Sequence, residues 1–182
     1  MPTSGHITSF SQTIPLYADS PYLRNKYTLS KYNSFGEDVI GSFKVFLAAI
    51  NGLSGEDVRL SKRARLPRNR LRGFEPGKVG PKDGDDYVGG NYAAAVNLET
   101  SLPNLLPEGT KTDVSLFLDF GNVWGVDYSS SVDDSSKIRS AAGVNASWLS
   151  PIGPMSFTLS QDISKASTDT TQSFSFNLGT TF

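Results

Sequence analysis

The sequence has no cysteine among its 182 residues, which excludes disulfide frameworks and cysteine-ligated metal sites. It has one histidine, His6, so neither a histidine-based zinc site nor a Ser-His-acid triad is expected. A strongly basic balance is also absent, because the formal net charge is -1, and no nucleic-acid partner is expected. The longest fully apolar run, residues 45–50, is far shorter than the ~20 residues that a membrane-spanning helix needs.

Motifs for cofactor chemistry are incomplete as well. Residues 73–78 are too short for a phosphate-binding loop, and Asp83, Asp85 and Asp86 lack the spacing of an EF-hand. We therefore expect no catalytic residue, no metal and no cofactor, and we predict that the chain is not an enzyme.

The sequence does contain a series of long extended segments. Turn-forming residues interrupt it regularly, and no window keeps apolar residues at helical spacing for long. We predict an all-β chain of about eight antiparallel strands. The predicted strands are residues 5–16, 22–33, 39–51, 88–102, 111–124, 138–149, 155–165 and 172–182. Most are longer than the roughly five or six residues usual in soluble sheets, which favours strands that cross a bilayer at a tilt.

Side chains alternate sharply in two of these strands. In residues 112–124, Leu116 and Leu118 fall on one face while Asp119 falls on the other, and residues 92–99 repeat the pattern with Glu99 on the polar face. An apolar outside and a polar inside are typical of a transmembrane β-barrel. Because soluble sandwiches alternate too, a soluble β-sandwich binding module stays open as an alternative. The second and third strands alternate too weakly for their faces to be assigned.

The connection after the third strand, residues 52–87, is unusually long for a hairpin, and such loops are usually functional or disordered. Its residues 59–72 include many arginines and lysines and no acid, a pattern typical of a solvated or phosphate-binding face. The glycines and prolines that follow favour a defined backbone path.

Short motifs then follow one another in a fixed order. They are Leu71-Arg72-Gly73-Phe74, Val79-Gly80-Pro81, Val88-Gly89-Gly90-Asn91, the segment FLDFGNVW at 117–124, Ile138-Arg139 with Ala142-Gly143, WLSPIGP at 148–154 and FNLGTTF at 176–182. The series resembles the C-terminal half of the BamA family, the outer-membrane protein assembly factors of Gram-negative bacteria. Leu71 stands where the family usually carries Val or Ile, which is a conservative difference.

The resemblance implies an antiparallel transmembrane β-barrel of sixteen strands, preceded by periplasmic POTRA domains. Residues 1–182 would then be a partial outer-membrane β-barrel domain, the C-terminal half of that barrel, with a long lumenal loop at residues 52–87. We expect POTRA domains to be absent from this sequence, which makes it a fragment.

The resemblance also implies a function and a location. The chain would lie in the bacterial outer membrane and belong to an insertase that folds and inserts outer-membrane proteins. Its expected partners are the outer-membrane lipid bilayer, nascent outer-membrane proteins and the accessory assembly lipoproteins of the complex. A polypeptide-exporting barrel of the same superfamily, for two-partner secretion or autotransporter assembly, is the alternative.

Two sets of site residues follow. The lumenal loop motif would be Leu71, Arg72, Gly73 and Phe74. In the family its arginine pairs with lumenal acids, and alternation alone places Glu99 and Asp119 on the lumenal face. We predict charge-assisted hydrogen bonds from Arg72 to Asp119, with Glu99 as a second candidate partner.

The last predicted strand carries apolar side chains at every second position. These are Phe174, Phe176, Leu178 and Phe182. They resemble the C-terminal recognition signal by which outer-membrane barrels reach the assembly machinery. Such a strand can add to an exposed sheet edge through main-chain hydrogen bonds, and the same side chains also suit a lipid-facing aromatic belt.

Overall fold

The computed structural model describes residues 3–15, 20–36, 39–133, 137–151 and 153–179. Its main element is an eight-stranded antiparallel sheet in the order β1-β2-β3-β6-β7-β8-β9-β10, which confirms the predicted fold class. The strands are β1 (Gly5–Thr13), β2 (Tyr22–Ser34), β3 (Ile40–Gly52), β6 (Tyr92–Leu102), β7 (Thr112–Trp124), β8 (Arg139–Ser150), β9 (Gly153–Ser164) and β10 (Phe174–Leu178). A separate two-stranded sheet pairs β4 (Lys82–Asp83) with β5 (Asp86–Tyr87).

Most strand bounds differ from the prediction by one to three residues. The larger differences lie at β6, which begins at Tyr92 because residues 88–91 belong to the preceding loop, and at β10, which is short. Phe182 lies outside the described residues. Three short 3-10 helices, Leu60–Lys62, Arg68–Arg70 and Glu108–Thr110, were not predicted, and none of the described helices is long and apolar enough to span a membrane.

Within the described ranges the sheet is not closed. β1 pairs only with β2, and β10 pairs only with β9. The strands between them form uninterrupted ladders apart from one irregularity between β8 and β9, at Ser140 and Ala141. The sheet is therefore an open array of neighbouring hairpins with two free edges.

The two faces of the sheet differ in character. On β7 the Leu116 side chain is 50% exposed, whereas Asp119 on the opposite face is fully buried. We call the face that carries Asp119 the inner face and the face that carries Leu116 the outer face. The register pairs Asp119 with Asn97 of β6 and Ala141 of β8, so those residues share the inner face.

The register also assigns the faces of β3, which the sequence left open. Phe46 lies opposite Ala95 and Lys44 lies opposite Asn97, which places both on the inner face. Phe46 and Ile50 are large, apolar and buried there. Because this strand carries apolar residues on both faces, its alternation is weak.

Residues 53–91 form the inward loop, which covers the inner face and builds the core with it. One apolar cluster joins loop to sheet through Phe46, Ile50, Val58, Ala64, Ala93, Ala95 and Val123. A second cluster joins Leu71, Phe74 and Val79 to Ala141. The loop closes on itself where Ala64 and Gly90 exchange backbone hydrogen bonds of 2.6 and 3.0 Å. The core therefore lies between the loop and the sheet.

Candidate functional site

Arg72 of the inward loop lies against Asp119 of β7. Its Nε donates to Asp119 Oδ2 at 2.8 Å, and its Nη2 donates to Oδ1 at 2.9 Å. The Arg72 backbone N–H adds a third hydrogen bond to Oδ2 at 3.0 Å. This bidentate contact fixes both the distance and the orientation of the Arg72 guanidinium relative to the buried Asp119 carboxylate, since each oxygen of the acid accepts a separate side-chain N–H.

Glu99 of β6 is the second acid at this position. Arg72 Nη1 lies 3.4 Å from Glu99 Oε1, and Lys44 Nζ lies 3.4 Å from Oε2. Ser115 donates a hydrogen bond to Oε1 at 2.7 Å. Two carboxylates thus face two cations, so the desolvation of each charge is offset by a partner.

Asn97 connects the acids to the loop backbone. Its amide nitrogen donates to Asp119 Oδ1 at 2.8 Å and to the carbonyl of Arg70 at 3.0 Å. The sequence predicted the two acids as partners of Arg72 but gave no role to Asn97, Lys44 or Ser115. The polar parity of Asn97 in the same strand as Glu99 was the one signal that could have identified it.

The aromatic ring of Phe117 completes the arginine site. The Arg72 guanidinium carbon lies 3.7 Å from the ring centroid, within the range of a cation–π contact. Phe117 is buried and precedes Asp119 by two residues on the same face of β7. One strand therefore supplies both the acid and the ring.

The other motif residues pack the loop. Gly73 has φ +90°, and a Cβ there would lie 2.8 Å from the Ala141 side chain, so only glycine fits without a shift. Leu71 and Phe74 are buried in the apolar cluster with Ala141. The structure thus brings Leu71, Arg72, Gly73 and Phe74 onto the inner face together.

A second ionic contact lies nearer the ends of the strands. Arg63 donates to Asn91 Oδ1 and to the carbonyl of Val58, each at 2.8 Å, and it also contacts Asp127. Burial alone would raise the pKa of Asp127, but hydrogen bonds from the Val58 N–H at 2.9 Å, from Asn91 and from Arg63 outweigh it and lower that pKa.

Arg63 departs from the typical behaviour of a basic run. The pattern of the basic run is typical of a solvated or phosphate-binding face, and Arg59, Lys62, Arg65 and Arg68 are exposed. Arg63 is buried instead, because the loop turns its guanidinium onto the Asp127 carboxylate. No sequence pattern singled out this pair.

A third ionic contact joins β8 to the connection between β9 and β10. Arg139 Nε and Nη2 donate to the two carboxylate oxygens of Asp169 at 2.8 and 3.0 Å. The side chains are 3% and 0% exposed. Arg139 also donates to Asn122 Oδ1 at 2.6 Å. Arg139 belongs to one of the sequence motifs, but the motif does not indicate its partner.

The predicted recognition residues of the last strand lie apart from these contacts. Phe174, Phe176 and Leu178 are exposed on the outer face of β10. Phe176 packs on Phe157 of β9, with ring centroids 5.1 Å apart. Across the described part of the chain, no group of three or more His, Cys, Asp or Glu residues could hold a metal ion.

Comparison with known proteins finds relatives in sequence and in structure. The chain is 35% identical over 139 residues to the outer membrane protein assembly factor BamA of Neisseria meningitidis serogroup B, an alignment that covers 62% of this chain and 17% of that protein. It superposes on the crystal structure of BamA from Haemophilus ducreyi lacking POTRA domains 1-3 with a TM-score of 0.85 and 27% identity, covering 96% of this chain and 38% of that one.

The chain thus spans well under two thirds of the length of either relative. The resemblance to BamA predicted from the motifs is confirmed by both comparisons. The family model that describes the Omp85 superfamily domain matches residues 1–182, and this chain belongs to the Omp85 superfamily.

Proposed function

We propose that this chain is part of an outer-membrane insertase, which folds and inserts other β-barrel proteins. The observation that carries the proposal is the inward loop fixed to the inner face by Arg72, Asp119 and Glu99, on a sheet similar to that of BamA. Its eight strands are the C-terminal half of a sixteen-stranded barrel in the outer membrane, and POTRA domains lie elsewhere in the intact protein.

The insertase acts without a catalytic centre, through its edges and its surfaces. The exposed apolar side chains of the outer face contact the lipid bilayer. The inward loop braces the inner face, which keeps the sheet in shape while its edge strand exchanges partners. A nascent outer-membrane protein pairs with the β10 edge by main-chain hydrogen bonds, and Phe174, Phe176 and Leu178 belong to a strand of the recognition type. Accessory lipoproteins assist from the periplasm.

Reconstitution tests the proposal. The protein that carries this sequence is placed in phosphatidylcholine vesicles, and the folding of a urea-denatured outer-membrane barrel is followed by its heat-modifiable gel migration. We expect the protein to accelerate folding and Arg72→Glu to remove most of the acceleration. Lys62→Glu is the matched control, because it reverses the charge of an exposed lysine of the same loop.

Two outcomes would count against the insertase. One is an equal folding rate in vesicles with and without the wild-type protein. The other is selective loss of one exported polypeptide when the gene is depleted, with all other outer-membrane barrels unchanged, which would point to the exporting branch of the superfamily.

A further inference from the structure

The residues that lead into β10 are paired with the inward loop by a short backbone ladder. Glu75 N–H donates to the carbonyl of Thr170 at 2.9 Å, and Gln172 N–H donates to the carbonyl of Gly73 at 3.0 Å. Phe74 and Thr171 face each other between these two bonds. The ladder therefore begins inside the loop motif and ends two residues before β10.

A second group of bonds extends this ladder beyond the motif. Thr170 N–H donates to the carbonyl of Lys78 at 3.1 Å, and the Tyr87 hydroxyl bonds to Thr168 and, at 3.1 Å, to Thr170. On the other side, Ser160 N–H donates to the carbonyl of Ser173 at 2.8 Å, which continues into the pairing of β9 with β10. The segment 168–173 is thus held between the loop and β9.

Asp169 is the residue that ties this segment to the rest of the sheet. Besides the two bonds from Arg139, its carboxylate accepts the N–H of Ala166 at 2.6 Å and the N–H of Gly80 at 3.4 Å. One buried acid therefore joins β8, the turn after β9 and the inward loop. Removing one member of a buried, hydrogen-bonded ion pair leaves the other charge without compensation.

The Arg139–Asp169 pair acts at a different place in the sheet from the Arg72 contact. Arg72 fixes the loop to β6 and β7 in the middle of the sheet, whereas Asp169 lies in the connection between the last two strands. The two contacts share the loop but not a side chain. Displacement of the loop and displacement of the start of β10 are therefore linked through Asp169 and the ladder.

We propose that Arg139 and Asp169 form a terminal-strand latch, a pair of positioning residues that hold the start of β10 against the inward loop. The latch sets where the edge strand lies when a substrate strand arrives. That consequence rests on the proposed function, while the link between loop and strand stands on the contacts alone.

Hydrogen exchange in the reconstituted protein tests the link. In Asp169→Asn we expect the amides of Thr170 and Gln172 to exchange at least about tenfold faster, because the segment that carries them loses its ion pair with Arg139. The Arg72 amide should keep its protection. Asp162→Asn is the matched control, since it removes the same charge from a pair with Lys165 at the end of β9 in which the acid is 21% and the lysine 48% exposed.

Unchanged protection of Thr170 and Gln172 in Asp169→Asn would overturn the latch, and so would equal loss in Asp162→Asn. Should Asp169→Asn fail to fold, Arg139→Lys replaces it, because lysine keeps the charge and loses the two-pronged geometry. Arg139→Lys should expose the same two amides by a smaller factor, and no exposure in that variant would also overturn the latch.

The substrate-folding assay tests the consequence. Asp169→Asn should slow the assisted folding of a denatured barrel at least about fivefold, with Asp162→Asn close to wild type. Faster amide exchange without slower folding would overturn the positioning role. Failure of the wild-type protein to assist folding would instead refute the insertase, and the exchange result would still decide the link.

Discussion

The outer and inner faces of the same sheet obey opposite rules. On the outer face, apolar side chains such as Leu116 and Leu159 are 50% and 62% exposed. On the inner face, Asp119 and Asn97 are buried under the loop. A soluble sheet would reverse this arrangement. The outer face is therefore suited to hydrocarbon, and the inner face is stabilised by its own loop.

The inner face itself combines two kinds of contact. Near β3 the loop is held by close packing on Phe46 and Ile50, and at β7 it is held by the ion pair of Arg72 with Asp119. Apolar packing allows small shifts in any direction, whereas the bidentate contact of the Arg72 guanidinium with Asp119 requires one geometry. This ion pair therefore determines the position of the loop along the sheet.

The largest expected effect comes from the inner face. Asp119→Ala should lower the free energy of unfolding by about 3 to 5 kcal/mol, because Arg72 and Asn97 lose their shared acceptor in a buried position. Urea unfolding in vesicles measures this loss. Asp113→Ala, on the same strand and the same face, is the control and should change the unfolding free energy by less than about 0.5 kcal/mol.

On the outer face, the cost of introducing a charge should depend on the depth of the residue in the bilayer. Leu118→Arg, at the centre of β7, should cost about 2 to 4 kcal/mol in vesicles, whereas Val114→Arg near the end of the strand should cost roughly 0 to 1 kcal/mol. Equal costs at the two positions would show that this face does not meet a bilayer.

A smaller effect is expected at low pH. The lowered pKa of Asp127 means that its carboxylate stabilises the folded loop above the ordinary Asp pKa of about 3.9, and that this contribution is lost as the pH falls through the lower folded value. The Val58 amide, which donates to Asp127, should then lose its protection from hydrogen exchange. Asp127→Asn should remove this pH dependence, and a variant that keeps it would assign the effect to another group.

The strands were predictable where each face meets one environment. Clean alternation gave the bounds and faces of β7, because lipid lies on one side and a polar interior on the other. The faces of β3 were not predictable, because Phe46 and Ile50 pack against a loop that is distant in sequence. The interior of that loop, with its short helices and the β4–β5 hairpin, depends on the same tertiary contacts.

The site was predictable only in part. The family resemblance identified Arg72 through its motif, and the alternation of side chains placed Glu99 and Asp119 on the face that the arginine would meet. The pairs of Arg63 with Asp127 and of Arg139 with Asp169 join residues 64 and 30 positions apart. No local pattern identifies which acid such an arginine will meet, so those pairs required the fold.

Exchanging the charges of Arg72 and Asp119 shows whether this ion pair holds the inward loop on the sheet. Trypsin cleavage after the exposed basic residues of the inward loop reports whether the loop is docked. Arg72→Glu and Asp119→Arg should each accelerate cleavage strongly, and the double variant should recover part of the protection, limited by repulsion between the new acid and Glu99. A double variant that is cleaved as fast as the product of the two single effects predicts would contradict the pairing of Arg72 with Asp119.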